Sequence, residues 1–313
     1  MTVVAVDLGG TKTAAARVSS DGGIGEVVTA PTPALGGPAA VLDTVAGLVR
    51  PLLTTDVVGI GIGTAGVVDP DTASIVSATD VFAGWVGTNL ADGVRARLGL
   101  DRKFTVEVRN DVDAHAMGEA WLGAGRGRES LLMVAVGTGV GGGVILPSGL
   151  WTGAHRLAGE IGHIPTPGAE GMRCPCGRPG HLEATAAGPA IERRYAELSG
   201  TTADGRSIVA LAEAGDPVAT SVLTSAATAL GTAIAGMVTL LDPSCVVIGG
   251  GVADAGPLWW EPLRRACRST LVDHVADVDL LPAELGARAA LFGAARAALD
   301  AFPPTNREGS PHD

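Results

Sequence analysis

The distribution of hydrophobic and polar positions along the chain predicts alternating strands and helices. Short apolar runs that end in glycine favour buried strands, and apolar residues with the period of an α-helix favour helices between them. The predicted strands are residues 3–6, 14–18, 26–30, 57–62, 104–108, 131–136, 142–146 and 245–248. The predicted helices are residues 38–53, 89–98, 112–122, 189–198, 207–214, 217–240 and 288–299.

The pattern restarts in the middle of the chain. Residues 3–18 form a strand, a glycine turn and a second strand in the prediction, and residues 131–146 repeat this order. Two related halves of this kind favour an α/β fold with two lobes and a cleft between them. We expect a small N-terminal lobe over residues 1–109, completed by the helix at 288–301, and a large lobe over residues 110–287.

Composition narrows the class of protein. Hydrophobic residues make up 46% of the 313 positions, enough for a large core, and no uninterrupted apolar run reaches the roughly 18 residues of a membrane span. The net charge of −11 argues against a nucleic-acid surface, which needs clustered lysine and arginine. The four cysteines and the absence of a basic leader favour a cytoplasmic protein whose partners are small molecules. Residues 303–313 are rich in proline and polar side chains, which favours a disordered tail.

The first glycine turn carries residue types that suit phosphate. The strand at 3–6 is followed by an aspartate, a leucine, two glycines, a threonine and a lysine. The glycine amides and the threonine hydroxyl can surround phosphate oxygens, and the lysine adds positive charge. Asp7 could hold a magnesium ion through water. The turn is neither a Walker A loop nor a G-x-G-x-x-G loop, and glycine pairs are also favoured in ordinary hairpins.

Two further glycine turns add to this signal. The turn between the strands at 131–136 and 142–146 repeats the glycine and threonine chemistry of the first. A third turn, after the strand at 245–248, would let a flat base lie close to the backbone. Together they predict a nucleotide site formed by Asp7, Gly9, Gly10, Thr11, Lys12, Gly137, Thr138, Gly139, Gly141, Gly250 and Gly251.

A cluster of cysteine and histidine residues lies between residues 160 and 183. Two thiolates and two imidazoles suit tetrahedral zinc, although two close cysteines can also be a chance pair of buried thiols. Four protein ligands would leave no open position, so the metal is expected to be structural, and Glu160 and Glu183 remain to bind something else. Cys245 and Cys267 lie in apolar runs and are interpreted as core residues. The predicted zinc ligands are His163, Cys174, Cys176 and His181.

Taken in order, these segments resemble the ROK family of repressors, open reading frames and kinases, which includes bacterial glucokinases and N-acetylmannosamine kinases. The resemblance covers the chain apart from its tail. It implies the two-lobed actin-like ATPase fold, also called ribonuclease H-like, and a homodimer. It rests on residues 7–12, Arg109-Asn110-Asp111, Glu160 with His163, the cysteine cluster and residues 249–251.

The family pattern also implies a sugar site. Asp111 matches the general base, and Asn110 matches a residue that hydrogen-bonds the sugar. Glu160 and Glu183 match carboxylates that bind sugar hydroxyls, and His163 matches a residue that both ligates zinc and touches the sugar. Acidic acceptors suit hydroxyl donors, and phosphoryl transfer needs one carboxylate near the attacking hydroxyl. Without the resemblance Asp111 would be interpreted as a helix N-cap, and the two roles are compatible.

Three segments depart from the family pattern. His181 stands where the pattern has a third cysteine, and imidazole can replace thiolate on zinc. Residues 63–66 of the sugar loop are Gly-Thr-Ala-Gly, which keeps the turn glycines, including the expected sugar contact Gly66, but lacks the usual proline. Residues 79–85 lack the usual sugar contact and are closer to the N-acetylmannosamine kinases.

The resemblance implies an ATP-dependent kinase for the 6-hydroxyl of a hexose, with ATP, Mg²⁺ and a structural Zn²⁺. Glucose is the leading substrate, N-acetylmannosamine or another N-acylhexosamine is the alternative, and polyphosphate stays open as a donor. A sugar-responsive repressor would carry a helix-turn-helix domain before the phosphate loop, which begins here at residue 7. A catalytically silent sugar sensor is the alternative of another class, and Asp111 with both phosphate turns favours the kinase.

Overall fold

The computed structural model describes residues 1–78 and 82–302. The predicted tail at 303–313 and residues 79–81 of the divergent sugar segment lie outside the described residues. The strands are β1 (Thr2–Leu8), β2 (Lys12–Ser19), β3 (Val28–Pro31), β4 (Val57–Thr64), β5 (Val67–Asp69), β6 (Ser74–Ser77), β7 (Thr105–Asn110), β8 (Leu131–Val136), β9 (Val140–Leu146), β10 (Gly149–Leu150), β11 (Cys245–Gly249) and β12 (Asp279–Pro282). The helices are α1 (Gly37–Val49), α2 (Leu90–Leu98), α3 (Asp111–Leu122), α4 (Glu183–Ala186), α5 (Gly188–Ser199), α6 (Gly205–Glu213), α7 (Pro217–Leu241), α8 (Pro257–Thr270) and α9 (Ala289–Asp300).

The chain divides into two compact units. The first unit comprises Met1–Ala114 together with the chain from Ala290 onward, and the second comprises His115–Ala289. The boundaries fall within α3 and α9. The predicted site residues therefore belong to two sets, one in each unit.

A mixed five-stranded sheet forms the first unit, in the order β3-β2-β1-β4-β7. β1 pairs antiparallel with β2, whereas β1, β4 and β7 run parallel. Their apolar side chains are buried in one cluster with residues of α1 and α2. Because Leu8 pairs with Thr64 and Thr64 pairs with Asn110, the carboxyl ends of the three parallel strands lie at one edge of the sheet.

The second unit repeats this arrangement. Its sheet has the order β10-β9-β8-β11-β12, with β9 antiparallel to β8 and to β10, and with β8, β11 and β12 parallel. Counted along the chain, both sheets place their third, second, first, fourth and fifth strands side by side in that order. Gly249 pairs with Ala135, so the ends of β8 and β11 also lie at one edge. The predicted α/β class with two related halves is confirmed.

Helix α7 is a core helix of the second unit. It begins at Pro217, and the Asp216 side chain caps it by accepting a hydrogen bond from Ala219 N at 2.7 Å. By length and composition this helix could cross a membrane, but 61% of its most apolar window is buried within the protein. It packs on α8, where a side chain at Gly231 would overlap the Leu263 carbonyl oxygen. Its apolar surface is therefore explained by core packing.

The structure contains elements that the hydrophobic pattern does not predict, namely the β5–β6 hairpin, β10, α4, α8 and β12. Helix α8 carries Pro262 in its interior, a residue that normally ends a helix, and β12 is four residues long and ends in proline. The strand expected at 26–30 spans Val28–Pro31. The helix expected at 38–53 ends earlier, at Val49, because Pro51 lacks an N–H and residues 50–52 form a 3₁₀ turn.

Candidate active site

The first glycine turn joins β1 to β2 at the edge where the parallel strands end. Gly9 N donates to the Lys12 carbonyl oxygen at 3.2 Å, which closes the turn on itself. A Cβ at Gly9 would lie 3.0 Å from the same oxygen, so glycine suits this close approach. Thr11 and Lys12 are exposed, while Asp7 and Gly10 are half-buried. The turn therefore presents a hydroxyl and an ammonium group to solvent, both suited to phosphate.

Asn110 connects the end of β7 to the sugar loop at residues 63–66. Its side-chain amide donates to the Gly66 carbonyl oxygen at 2.9 Å. Its Oδ1 accepts from Val112 N at 2.8 Å and from Asp113 N at 3.3 Å. Asn110 therefore caps α3 and holds the sugar loop, two contacts that its predicted role as a sugar ligand does not include.

Asp111 is the first residue of α3. The capping position that the sequence alone favours for Asp111 is occupied by Asn110, although Asp111 Oδ1 also accepts from Val112 N at 2.9 Å. The amides at a helix N-terminus stabilise negative charge, and a general base must carry a carboxylate rather than a carboxylic acid. The position of Asp111 is thus compatible with the predicted chemistry.

The sugar loop has a backbone that requires glycine. Gly66 has φ +101°, and a Cβ there would lie 3.0 Å from the Ser77 carbonyl oxygen. The indole of Trp85 donates to the Ala65 carbonyl oxygen at 3.3 Å, and its ring stacks on Phe82 with centroids 4.7 Å apart. Gly66, Asn110 and Asp111 therefore lie together in the first unit, at the same sheet edge as the first glycine turn.

The second glycine turn, residues 137–139, joins β8 to β9. Gly137 N donates to the Gly139 carbonyl oxygen at 2.9 Å, and the Gly137 carbonyl oxygen accepts from Gly188 N at 2.8 Å. Thr138 is exposed at the tip of the turn. Gly141 follows within β9, opposite Ala135. This turn presents a hydroxyl group but no cation.

The third glycine turn follows β11 and packs on the end of β8. Gly250 has φ +93°, and a side chain there would overlap the Val136 carbonyl oxygen. The same oxygen accepts from Val252 N at 3.1 Å. Gly250 and Gly251 are exposed. The second and third turns therefore lie side by side at the carboxyl ends of parallel strands, where α/β sheets bind ligands.

The four predicted zinc ligands meet in the second unit. One ligand atom from each of His163, Cys174, Cys176 and His181 lies within 4.8 Å of all the others. Cys174 Sγ is 3.6 Å from His163 Nδ1, and Cys176 Sγ is 3.2 Å from His181 Nδ1. Zinc bonds of about 2.0–2.3 Å arranged as a tetrahedron separate the ligand atoms by about 3.3–3.8 Å, close to both of these distances, and two thiols with two imidazoles are donor types that suit zinc.

The backbone of the cysteine loop explains how these side chains converge. Cys174 N donates to the Arg178 carbonyl oxygen at 3.0 Å, and Gly177 N donates to the Cys174 carbonyl oxygen at 2.9 Å. Gly177 has φ +90°, which suits glycine in a tight turn. Burial raises the pKa of the Cys174 thiol to about 11, so metal binding at neutral pH must displace its proton.

Two carboxylates flank this cluster. Glu160 Oε2 lies 3.8 Å from His163 Nε2, and Glu183 Oε1 lies 3.8 Å from Cys174 Sγ. The His163 ring therefore stands between the cysteine side and Glu160. The other oxygen of Glu183 accepts a hydrogen bond from Val140 N at 2.9 Å. The bond to Val140 could not be predicted, because a backbone N–H leaves no residue signal.

The two remaining cysteines are buried in the protein core. Cys245 and Cys267 have no exposed surface. Burial raises the pKa of both thiols, that of Cys267 to about 11. Both are core residues, as their apolar surroundings in the sequence indicate.

Comparison with known proteins places this chain in a family. A profile of the ROK family matches residues 3–301, so the chain belongs to the ROK family. The family resemblance drawn from the sequence is confirmed.

Individual relatives match over most of the chain. The glucokinase of Streptomyces coelicolor is 34% identical over 322 residues, which cover 96% of this chain and 98% of that protein. The crystal structure of a ROK family glucokinase from Streptomyces griseus in complex with glucose and AMPPNP has a TM-score of 0.80 at 33% identity, covering 96% of this chain and 100% of its own. An N-acetylgalactosamine kinase from a Shewanella species is 33% identical over 198 residues, 61% of this chain and 64% of that protein.

Proposed function

We propose that this chain is an ATP-dependent kinase that phosphorylates the 6-hydroxyl of a hexose, with glucose as the leading substrate. The observation that carries the proposal is Asp111 at the N-terminus of α3, in a chain similar to glucokinases along nearly its whole length. The same carboxylate is bordered by Asn110, which ties the helix to the sugar loop.

In the proposed reaction, Asp111 orients the 6-hydroxyl and accepts its proton while the oxygen attacks the γ-phosphorus of ATP. The bond between that phosphorus and the oxygen bridging to the β-phosphate breaks, and its electron pair leaves with ADP. The sugar 6-phosphate departs, and Asp111 returns the proton to solvent.

The glycine turns bind the phosphates and the base in this proposal. Thr11 and Lys12 contact phosphate oxygens from the first turn, and Thr138 contacts them from the second. Gly250 and Gly251 leave room for the base. Asp7 would hold Mg²⁺ through water, and the ion would supply positive charge that offsets the phosphate charge.

The cysteine loop binds the sugar in this proposal. Glu160 and Glu183 accept hydrogen bonds from sugar hydroxyls, and His163 contacts the sugar from between them. Zinc, held by His163, Cys174, Cys176 and His181, would supply a cross-link that fixes the loop. Its four protein ligands would leave no position for a reacting water.

An assay of ADP release tests the proposal. Glucose, mannose, N-acetylglucosamine and N-acetylmannosamine are each supplied with ATP. Parallel reactions with polyphosphate, which releases no ADP, are followed by the sugar 6-phosphate that forms. We expect glucose with ATP to give the highest kcat/KM and polyphosphate to give no product. Calorimetric binding of a sugar without product from any of the four sugars and either donor would instead favour a silent sensor.

An N-acylhexosamine is the second candidate substrate. The Shewanella relative is an N-acetylgalactosamine kinase, and residues 79–85 depart from the glucokinase pattern towards the N-acetylmannosamine kinases. The same assay decides, because a kcat/KM that is higher for N-acetylmannosamine than for glucose would reverse the assignment.

Two further expectations belong to the proposal. We assign the reaction to the cytoplasm, because its phosphoryl donor is ATP. We also expect a homodimer, on the resemblance to the family. Light scattering of the purified protein measures the second expectation, and a monomer at micromolar concentration would contradict it.

A further inference from the structure

We infer that Glu183 is a positioning residue that couples sugar binding to nucleotide binding through the main chain of the second glycine turn. The inference rests on the proposed function, which assigns sugar hydroxyls to Glu183 and phosphate to residues 137–139. It adds a physical link between these two ligands within the second unit.

The link is a charge-assisted hydrogen bond. Val140 is the first residue of β9 and is buried, and its N–H points to Glu183 Oε2 at 2.9 Å. A buried backbone N–H needs a partner, and a carboxylate is a stronger one than a neutral carbonyl. The turn at 137–139 therefore depends on Glu183 for the hydrogen bond at its end.

The two glycines of the turn differ in their surroundings. A Cβ at Gly139 would lie 2.6 Å from Glu183 Oε2 and 3.4 Å from its Cδ, whereas a Cβ at Gly137 would meet no atom within 4 Å. Glycine at position 139 thus allows the carboxylate to reach Val140 N. The pair offers a matched substitution in one turn.

The segment that carries Glu160 and His163 approaches Val140 at its carbonyl oxygen. Gly162 lies so close to the Val140 carbonyl oxygen that any side chain there would overlap it. Gly162 stands within the segment that carries Glu160 and His163. The N–H of Val140 is therefore bound by Glu183, and its carbonyl group packs against the segment that carries Glu160 and His163. All three side chains are proposed sugar ligands.

This arrangement predicts positive coupling. Two states differ in whether the Glu183–Val140 bond is made, and sugar hydroxyls that bind Glu183 and Glu160 hold these side chains in place. A nucleotide then meets a turn that is already ordered, so it binds more tightly. Coupling between binding sites is reciprocal, and we expect a factor of about 10 in both directions.

Calorimetry of a non-hydrolysable ATP analogue tests the coupling. Its Kd is measured with and without saturating glucose or N-acetylmannosamine, whichever binds, for the natural chain, Gly139→Ala and Gly137→Ala. The natural chain is expected to bind the analogue about 10-fold more tightly with sugar. Gly139→Ala should bring this factor close to one, whereas Gly137→Ala should keep it, whatever the substitution does to nucleotide affinity alone.

The outcomes separate this inference from the proposed function. If neither sugar nor nucleotide binds the natural chain, both fall. If both ligands bind but the nucleotide Kd is the same with and without sugar, the inference alone is wrong. The same holds if Gly139→Ala keeps the full 10-fold difference in nucleotide Kd. If the variants fold poorly, the inference can still be tested on the natural chain. Sugar alone should slow hydrogen exchange at the Val140 amide by about 10-fold. Unchanged exchange at that amide during sugar binding would also overturn the inference.

Discussion

The first and second glycine turns occupy equivalent places in two sheets of the same strand order, yet they are built differently. Each joins the first strand of its sheet to an antiparallel second strand. Both turns contain an internal backbone hydrogen bond and accept one from a neighbouring amide, Thr32 N for the first turn and Gly188 N for the second. The first turn, residues 9–12, presents Lys12, whereas the second, residues 137–139, carries no cation and is followed by Val140, whose N–H donates to the Glu183 carboxylate.

This difference separates what topology determines from what packing determines. A repeated strand order brings a glycine turn to the same edge of each sheet, where strand ends favour ligands. The neighbours of each turn then decide its function. We expect the first turn to supply positive charge to the nucleotide. We expect the second turn to bind the nucleotide more tightly when sugar is bound.

The largest expected effect lies beside the first turn. Asp111→Asn removes the proposed proton acceptor, so kcat should fall by at least about 100-fold while the sugar Kd stays nearly unchanged. Steady-state kinetics and sugar calorimetry measure the two quantities. Asp92→Asn, in the first turn of α2, is the matched control and should keep normal turnover. Near-normal turnover in Asp111→Asn would remove the base assignment.

The charge of the first turn gives the next effect. Lys12→Ala removes an exposed ammonium group, and loss of a charge-assisted hydrogen bond should raise the KM for ATP by about 10- to 100-fold. The sugar Kd measured without nucleotide should not change. Lys103→Ala, another exposed lysine, is the control. An unchanged KM for ATP in Lys12→Ala would mean that the two turns do not differ in the way proposed.

Removal of a zinc ligand from the cysteine loop tests the surroundings of the second turn. Cys176→Ser should release about one zinc per chain and raise the sugar KM by about 10-fold, because the loop that carries the sugar ligands loses its cross-link. Nucleotide affinity measured without sugar should change much less. His181→Cys should keep the metal, since thiolate is as good a zinc ligand as imidazole. Elemental analysis of a fully active, metal-free protein would contradict the assignment.

Sequence patterns predict the centre of each sheet better than its edge. The long apolar runs of β1 and β8 are buried and leave a strong signal. Strand β12 has four residues that include Asp279 and Pro282, and its pairing with β11 depends on a distant part of the chain. The sequence pattern does not predict helix α8, because proline in its interior is typical of a helix end.

Some features of the candidate site can likewise be predicted from the sequence, and others cannot. Glycine, threonine and lysine residues lead to the prediction of the phosphate turns, because the expected chemistry depends on these residue types. The bond from Asn110 to Gly66 joins residues 44 positions apart, and the bond from Val140 to Glu183 uses a backbone donor. Such contacts depend on tertiary packing, so the sequence predicts which residues bind ligands but not how they support each other.

The smallest expected effect compares the hydroxyl groups of the two turns. Thr138→Val and Thr11→Val each remove an exposed hydroxyl without adding bulk, and loss of one neutral hydrogen bond to phosphate should raise the KM for ATP by about 2- to 10-fold. Thr228→Val, on the exposed face of α7, makes the same chemical change far along the chain and should leave the KM unchanged.

The two threonine variants should nevertheless differ from the Gly139→Ala variant. Glu183 accepts its hydrogen bond from the Val140 amide, which neither substitution removes, so the ratio of nucleotide Kd values with and without sugar should stay at its natural value in both variants. That ratio, measured by calorimetry, separates loss of a phosphate contact from loss of coupling. If Thr138→Val abolished the ratio while Thr11→Val kept it, the coupling would travel through the tip of the second turn rather than through the Glu183–Val140 bond.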